Sequence, residues 1–376
     1  MGTNVIYFDN AASTPVDDEV LDHVQHLMRN TYGNPSSLHW YGREARVVVE
    51  QSRRTVARLL NVSPAGIFFT SGGTEANNAV LWGCCKDLGI KHFITSPLEH
   101  PAVLKTLEQL QSLMGIHIHF VNVGPAGHVD LDHLETLLKQ HTPAVVSLMH
   151  ANNEIGNLLP VKAVSDLCQR YQALFHSDTV QTVGKLAMDM KQPAIDFAVA
   201  SAHKFHGPKG AGFMYVGSAS FFKQFITGGG QERNMRGGTE HVYGVAGMAK
   251  ALEVAHQRMT EDQRHISYLK KECVSLLRQN IPSISFNGDT EGSSLHTIIN
   301  VTLPEGLDAE MLLPNLDIAG ICVSTGSACA SGSDRGSYVL EALGADMQKP
   351  SVRISFSRYN TMEEVRQFVD VLTSLV

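Results

Sequence analysis

Short apolar segments alternate with segments of helical periodicity in the first half of the chain, and this alternation constrains the fold more than any other feature. The pairs are GIFFTS with TEANNAVLWGCCKDLG, KHFITS with PAVLKTLEQLQSLMG, and AVVSLMH with VKAVSDLCQRYQA. Strands that alternate with helices of this length form a mainly parallel sheet covered by helices. Ligands of such sheets bind at the carboxyl ends of the strands. The sequence therefore predicts an α/β fold with a site at that end of its sheet.

The C-terminal part of the chain predicts a second, smaller α/β domain. The stretch from Tyr243 to Gln279 has helical periodicity and predicts one long helix or two. Strand-like SISFNG and TIINVTLP follow, then a helix around Ala309 to Leu316, the strand VRISFS and a final helix. Thr361 and Glu364 have the spacing of a capping box at the start of that last helix.

Charge and hydropathy exclude several classes of function. The chain has 376 residues and a net charge of -7, without a basic run that would indicate a nucleic-acid surface. Its first residues, MGTNVIYFDN, lack a basic start followed by a long apolar stretch, and no segment approaches membrane-spanning length. We therefore expect a cytoplasmic protein that binds neither nucleic acid nor a membrane directly.

Cysteine and histidine content gives no sign of a disulfide scaffold or a metal centre. The six cysteines have no CxxC spacing, which favours reduced thiols. Histidine is plentiful at 18 residues, and His117 and His119 alternate as strand residues would. A metal bound there would need further ligands from elsewhere in the chain. We expect no metal site.

The segment FTSGGTEANN predicts a turn that could bind phosphate. It runs from an apolar strand through Ser71, Gly72, Gly73 and Thr74 into a helix. Glycines permit close approach to the backbone, and free N–H groups at the positive end of a helix suit an anion. An ordinary strand-to-helix turn capped by Ser or Thr explains the same residues, so this motif alone leaves both interpretations open.

Two further strand ends suggest a pyridine cofactor. Asp178 ends the run ALFHSD with Gln181 shortly after it, and Lys204 follows the small-residue run FAVAS. The carboxylate could simply cap a helix, and the lysine could lie on the surface. Pyridoxal phosphate enzymes, however, pair an Asp on the pyridinium nitrogen with a lysine Schiff base. Together with the phosphate turn, this order fits one bound pyridoxal phosphate, and His100 and Asn153 stand at two other strand ends.

These motifs belong to a longer ordered series. It comprises FDNAAST, GNPSSLH, FTSGGTEANN, EHPAV, HANNEIG, HSDTVQTVGK, SAHKFHGPKGAG, RGGTE and STGSACAS. In this combination the sequence resembles the cysteine desulfurases, which are fold-type I pyridoxal phosphate enzymes of the aminotransferase class V group, and STGSACAS resembles their long-loop subgroup. The resemblance spans Asp9 to Arg358. It implies a large domain over 16–255 with a mainly parallel seven-stranded sheet, and a small α/β domain made of 1–15 with 256–376.

The resemblance also implies the cofactor contacts. Lys204 would form the Schiff base with pyridoxal 5'-phosphate, Asp178 would contact the pyridinium nitrogen, and His100 would stack on the ring and handle protons. Two residues would lie near the phenolic oxygen, namely Asn153 and Gln181. The phosphate would contact Gly73, Thr74, Ser201 and His203.

Substrate and subunit contacts follow from the same resemblance. Arg353, with Asn34 beside it, would bind the carboxylate of L-cysteine, because a guanidinium suits bidentate carboxylate binding. A solvated ion pair is the alternative for an arginine on an edge strand. Thr239 of RGGTE would reach into the neighbouring subunit's site, which makes the expected protein a homodimer.

One cysteine decides which reaction such a cofactor would serve. Cys329 lies among Ser, Gly and Ala, as expected of a loop with a reachable thiol, whereas Cys322 in an apolar run is typical of a core residue. The resemblance implies that Cys329 takes the sulfur of L-cysteine as a persulfide, leaves L-alanine, and passes the sulfur to an acceptor protein. His100 is the expected proton acceptor for the thiol.

Departures and alternatives limit this interpretation. Ser357 replaces a glycine often seen in the family, and the chain ends at Val376, where housekeeping members extend further to dock an iron–sulfur scaffold. The acceptor therefore stays open among iron–sulfur cluster assembly, transfer RNA thiolation and DNA phosphorothioation. A selenocysteine lyase or another cysteine lyase on the same fold is one alternative. A sulfur-carrier or regulatory protein without cofactor chemistry is another.

Overall fold

The computed structural model describes residues 5–217, 222–305, 309–326 and 337–376. Its strands are β1 (Ile6–Tyr7), β2 (Ile67–Thr70), β3 (His92–Thr95), β4 (His117–Phe120), β5 (Ala144–Ser147), β6 (Leu174–Asp178), β7 (Phe197–Ser201), β8 (Gly212–Val216), β9 (Ser285–Phe286), β10 (Ile298–Thr302), β11 (Ile321–Cys322) and β12 (Ser351–Ser355). Its helices are α1 (Asp18–Asn30), α2 (Trp40–Leu59), α3 (Gly73–Lys86), α4 (Pro101–Met114), α5 (Leu131–Gln140), α6 (Val161–Arg170), the single turn α7 (Gln231–Asn234), α8 (Val242–Asn280), α9 (Ala309–Ile318), α10 (Tyr338–Ala342) and α11 (Met362–Leu375).

A seven-stranded sheet with the order β2-β8-β7-β6-β5-β3-β4 forms the centre of the molecule. Strand β8 is antiparallel to both of its neighbours, and the other pairs are parallel. Strands β2, β5 and β7 are buried along their whole length, as is usual for strands covered on both faces. The predicted α/β fold with a mainly parallel sheet is confirmed.

Helices cover both faces of this sheet because successive strand residues point to opposite sides. On β3, Ile94 packs into the larger hydrophobic cluster, to which α2, α5 and α6 contribute. The neighbouring residue Phe93 packs into a second cluster on the other face, which contains residues of α3 and α4. Among the described residues, no helix is both long and apolar enough to cross a bilayer.

A smaller antiparallel sheet, β12-β10-β9, and the parallel pair of β1 with β11 share a separate hydrophobic cluster. The stretch predicted as one helix or two is the single helix α8. Its first half contributes Met248 and Leu252 to the large cluster, and its second half contributes Leu269 and Leu277 to the smaller one. The predicted domain boundary after residue 255 falls within this helix and stays a prediction. The capping box at the start of α11 is present as expected.

The chain between β1 and α1 crosses from the small sheet to the large one. An isolated bridge joins Asp9 to Ser355 at the start of this crossing. Further along, the Thr14 amide donates to the carbonyl oxygen of His203 at 2.9 Å. The crossing thereby lies against the segment that follows β7.

A buried ion pair fixes the α7 turn to the edge of the large sheet. Arg53 of α2 donates from both terminal nitrogens to the Glu232 carboxylate, each at 2.8 Å, and the Phe69 amide donates to the same carboxylate at 2.8 Å. The Arg53 guanidinium also lies 4.5 Å from the centroid of the Phe69 ring. Glu232 has a φ of 46°, a left-handed conformation that is uncommon for a residue other than glycine. These contacts hold that conformation.

We expect Glu232→Ala to lower the free energy of unfolding by about 3 kcal/mol, because it removes the bidentate partner of the buried Arg53 guanidinium and leaves only the half-exposed Glu50 as an acidic partner. The matched control is Glu253→Ala, which removes the exposed pair of Arg58 and Glu253 and should cost less than about 1 kcal/mol. Urea unfolding of both variants measures the difference. Equal losses would contradict a special contribution of the buried pair.

Candidate active site

A cavity with a volume of about 170 Å³ opens at the carboxyl ends of the central strands. We call it the central cavity. It is bordered by the ends of β6 and β7 and by the first residues of α3 and α4. Ten of the predicted site residues line it, namely Gly73, Thr74, His100, Asn153, Asp178, Gln181, Ser201, His203, Lys204 and Arg353. The fold thus assembles residues that are far apart in the sequence.

Asp178 is held by hydrogen bonds to both of its carboxylate oxygens. Asn77 of α3 donates its side-chain amide to one oxygen at 2.7 Å, and the Val180 amide donates to the other at 3.0 Å. Only 7% of the residue is exposed. Asp178 therefore presents a fixed negative charge at the wall of the central cavity.

Helix α3 begins at the central cavity without a side-chain cap, because its N-cap residue is Gly72. The first amide groups of a helix have no partner within the helix, and they carry its positive dipole end. Gly73 is required here, since a Cβ atom at this position would come within 2.7 Å of the Val180 side chain. This helix end can bind an anion that enters the cavity.

Lys204 follows β7 and reaches the crossing segment. Its amine donates to the carbonyl oxygens of Ala11 and Ala12 at 2.6 and 2.9 Å. Nearby, Gln181 donates its side-chain amide to the Ala11 carbonyl at 3.0 Å and accepts a hydrogen bond from Lys185 at 3.0 Å. The amine of Lys204 and the carboxylate of Asp178 share one cavity, so the surface position considered for this lysine does not apply.

The pKa values of both histidines of the central cavity, His100 and His203, are lowered, which favours their neutral form. Burial lowers the pKa of His100, the negative charge of Asp178 opposes this effect, and the charge of Lys204 adds to it. Burial and three nearby lysines lower the pKa of His203 to about 4. The Ala102 amide donates to Nδ1 of His100 at 3.0 Å, so a neutral ring carries its proton on Nε2. In this geometry Nε2 is the nitrogen that carries the proton, and the role of His100 as proton acceptor for the Cys329 thiol stays a prediction.

Arg353 is buried, with 1% of its surface exposed. It pairs with Asp9 at 2.8 Å and donates to the carbonyl oxygen of Asn153 at 3.0 Å. Its Nε atom and the side-chain oxygen of Asn153 have no hydrogen-bond partner among the described residues. The alternative of a solvated ion pair does not match this burial.

Two described residues among the predicted site residues do not line the central cavity, and a third predicted residue is not described. Asn34 is exposed, and its side-chain oxygen accepts a hydrogen bond from the Ser36 amide at 2.9 Å. Thr239 is also exposed, and its predicted contact with a neighbouring subunit stays a prediction. Cys329 and the rest of STGSACAS from Ser327 onward lie outside the described residues.

The two chain ends that flank residues 327–336 lie close together beside the central cavity. A Cβ atom on Gly326 would be 3.4 Å from both the Glu154 carboxylate and the Ser337 side chain. Ser337 donates a hydrogen bond to Glu154, and an isolated bridge joins Ser324 to Arg353. The described residues on either side of 327–336 thus meet at Glu154, whose neighbour Asn153 accepts a hydrogen bond from Arg353.

Sequence reasoning missed three residues that shape the site. They are Asp9, which pairs with Arg353, Asn77, which holds Asp178, and Lys185, which holds Gln181. Asn77 and Lys185 lie within motifs that the sequence analysis singled out, FTSGGTEANN and HSDTVQTVGK. Their helical spacing from other site residues was the available signal.

Comparison with known proteins identifies the family. The model of the aminotransferase class-V family matches residues 6–368. The cysteine desulfurase IscS of Dictyoglomus turgidum is 37% identical over 375 residues, which cover 99% of this chain and 94% of that protein. A solved NifS-like protein superposes with a TM-score of 0.91 at 37% identity over 98% of both chains. A structure of SspA in complex with cysteine superposes with a TM-score of 0.79 at 29% identity, over 95% of this chain and 100% of that one.

The chain belongs to the aminotransferase class-V family. Within that family it groups with the cysteine desulfurases and is an enzyme. The family membership predicted from the ordered motifs is confirmed.

Lys185 should make stability depend on pH in a distinctive direction. Burial, with the charges of Lys204 and Arg353, lowers its pKa from 10.5 to about 7. Between these values the unfolded chain binds a proton that the folded protein lacks, so the stability contribution rises with pH. The free energy of unfolding of the wild type minus that of Lys185→Met should therefore increase by about 1 to 3 kcal/mol from roughly pH 7 to 10.

Urea unfolding across this pH range measures the difference, and the exposed Lys191→Met variant controls for the loss of a lysine. A constant difference for Lys185→Met would mean that the lysine stays charged in the folded protein.

Proposed function

We propose that the enzyme converts L-cysteine to L-alanine with pyridoxal 5'-phosphate bound in the central cavity, and that Cys329 receives the sulfur as a persulfide. The observation that carries this proposal is that Lys204, Asp178 and the uncapped start of α3 face one cavity. The three groups match an aldehyde, a cationic ring nitrogen and a phosphate. When bound, this cofactor supplies an electron sink for negative charge at the substrate's α carbon.

The residues around the cavity fit each part of that cofactor. The Asp178 carboxylate accepts two hydrogen bonds that fix its position, and its negative charge would be available to a ring nitrogen. The unpartnered side-chain oxygen of Asn153 and the amide of Gln181 are candidates for contacts with polar atoms of the ring. Thr74, Ser201 and His203 would contact the phosphate together with the amide groups of α3.

Arg353 is the proposed binding group for the substrate carboxylate. Its unpartnered Nε atom marks a donor that the described residues do not satisfy. A substrate carboxylate bound there would share the guanidinium with Asp9, whose Oδ1 atom lies 2.8 Å from Nη2 of Arg353. L-cysteine is the expected amino acid, because one related structure contains a protein in complex with cysteine.

Two groups would move protons. Lys204 would take the proton from the substrate's α carbon, because its amine is the base that the cavity offers next to the proposed cofactor position. His100 would hold or donate a proton at Nε2, since its Nδ1 atom is occupied by the Ala102 amide. The Cys329 thiol would reach the substrate sulfur from the segment whose flanking residues meet at Glu154.

Partners and location complete the proposal. Arg236, three residues before Thr239, pairs with Glu75 of α3 at 3.0 Å. This ion pair holds the backbone near the exposed Thr239, which would contact a second subunit. We propose a homodimer in the cytoplasm that passes its sulfur to an acceptor protein for iron–sulfur cluster assembly or thio-modification.

The direct test incubates the purified enzyme with L-cysteine, measures alanine, and examines the Cys329 peptide by mass spectrometry. We expect one added sulfur on that peptide, and loss of both alanine release and sulfur in Cys329→Ser. The matched control Cys322→Ser should keep both. Alanine release that survives in Cys329→Ser would overturn the persulfide mechanism and favour the lyase alternative. We also expect the purified enzyme to be yellow from bound pyridoxal 5'-phosphate, and Lys204→Ala to lose this colour. A colourless wild type would favour the non-enzymatic alternative.

A second test addresses the phosphate position. Gly73→Ala should weaken binding of pyridoxal 5'-phosphate more than about tenfold, because the new methyl group displaces Val180 and the start of α3. Adding Val180→Ala should restore most of the binding, since it makes room for that methyl group. Gly124→Ala is the control, because the Cβ atom there would meet its nearest neighbour at 3.8 Å. Absorbance titration measures each affinity, and unchanged binding in Gly73→Ala would contradict the proposed position.

A further inference from the structure

Three histidines from three elements meet at the outer edge of the large sheet, apart from the central cavity. His92 begins β3, His119 lies on the edge strand β4, and His141 is the C-cap residue of α5. One ring nitrogen of each lies within 4.8 Å of the others. Nδ1 of His92 and Nε2 of His119 are 3.1 Å apart. We call this group the histidine cluster.

The rings of the histidine cluster are packed against one another. His119 and His141 stack with their centroids 3.8 Å apart, and the His92 centroid lies 5.3 Å from each. Imidazolium rings at this distance would repel one another, which favours the neutral form. Neutral imidazole is the form that binds metal ions.

We propose that His92, His119 and His141 bind a divalent transition-metal ion, with Zn²⁺ as the expected ligand and water in the fourth position. A tetrahedral zinc ion with Zn–N bonds of about 2.0 to 2.1 Å needs nitrogens roughly 3.3 Å apart. One pair in the histidine cluster is already near this separation. Binding the third nitrogen requires His141 to turn out of its stack on His119. A set made of imidazoles favours zinc and its neighbours over calcium or magnesium.

The position of the histidine cluster indicates what the ion does. A bound ion would join the edge strand β4 and its neighbour β3 to the C-terminal end of α5. The negative dipole end of that helix favours a cation. Edge strands expose unpaired backbone groups, and a bound ion anchors this one. Of the two histidines weighed in the sequence, only His119 belongs to the cluster. Its partners His92 and His141 come from distant segments, and the sequence alone did not reveal that they lie beside His119. The expectation of no metal site was made without them.

Cobalt titration of the enzyme tests the proposal. Co²⁺ replaces Zn²⁺ in tetrahedral sites and shows visible absorption bands. The parent protein for the titration carries Cys329→Ser, which removes one competing thiol. We expect one Co²⁺ per chain, displaced by Zn²⁺, without the bands of thiolate ligation. His119→Ala and His141→Ala should each weaken binding more than about tenfold, because loss of even an outer partner of a metal ligand has an effect of that size.

The matched control is His256→Ala, which removes an exposed histidine of α8 and should leave the affinity unchanged. Circular dichroism checks the folding of each variant. If His119→Ala fails to fold, His141→Ala decides the result, because it changes only the half-buried C-cap residue of α5. Absence of a tetrahedral cobalt spectrum in the parent protein, or equal affinity in the variants and the parent, would overturn the proposal.

Discussion

The fixed carboxylate of Asp178 is the constraint on which the rest of the site depends. It stands at the end of β6, in the middle of the sheet, and takes hydrogen bonds from α3 and from its own turn. Adjacent parallel strands end at the same edge, so the end of β7 brings Ser201 and the following Lys204 to the same place. A buried charge in this position is stable only where a cation or dipoles compensate it. The arrangement therefore favours a ligand with a positive ring and a negative phosphate.

The N-terminal crossing segment completes this site from outside the large sheet. Its carbonyl groups at Ala11 and Ala12 accept hydrogen bonds from Lys204, and Asp9 holds Arg353. A single short segment thereby contacts both the proposed cofactor-binding amine and the proposed substrate-binding guanidinium. This explains why residues near the start of the chain carry part of the family's motif series.

Much of the fold could be predicted because its signals are local. The apolar strand segments, the periodicity of α8 and the capping box of α11 each depend on residues close together in the sequence. The motif series also predicted ten residues that line one cavity. The pairing of Asp9 with Arg353 and the histidine cluster were not predictable in this way. Each depends on distances between segments that only the assembled sheet determines.

A different limit applies to His100, whose cap on α4 is a local contact. A histidine after a strand could stack on a ring, cap a helix or exchange protons, and sequence alone does not distinguish the nitrogen atoms. The hydrogen bond from Ala102 does so, because it occupies Nδ1. Backbone geometry at the start of α4 thus decides which ring nitrogen is occupied and leaves Nε2 for other contacts.

Helix α8 runs unbroken from the larger hydrophobic cluster into the smaller one. Unfolding of either hydrophobic cluster would leave one half of this continuous helix without packing partners. We therefore expect the two clusters to unfold as one cooperative unit. Ligand binding in the central cavity should then protect the C-terminal sheet against thermal denaturation as well, although that sheet lies in the other half of the molecule.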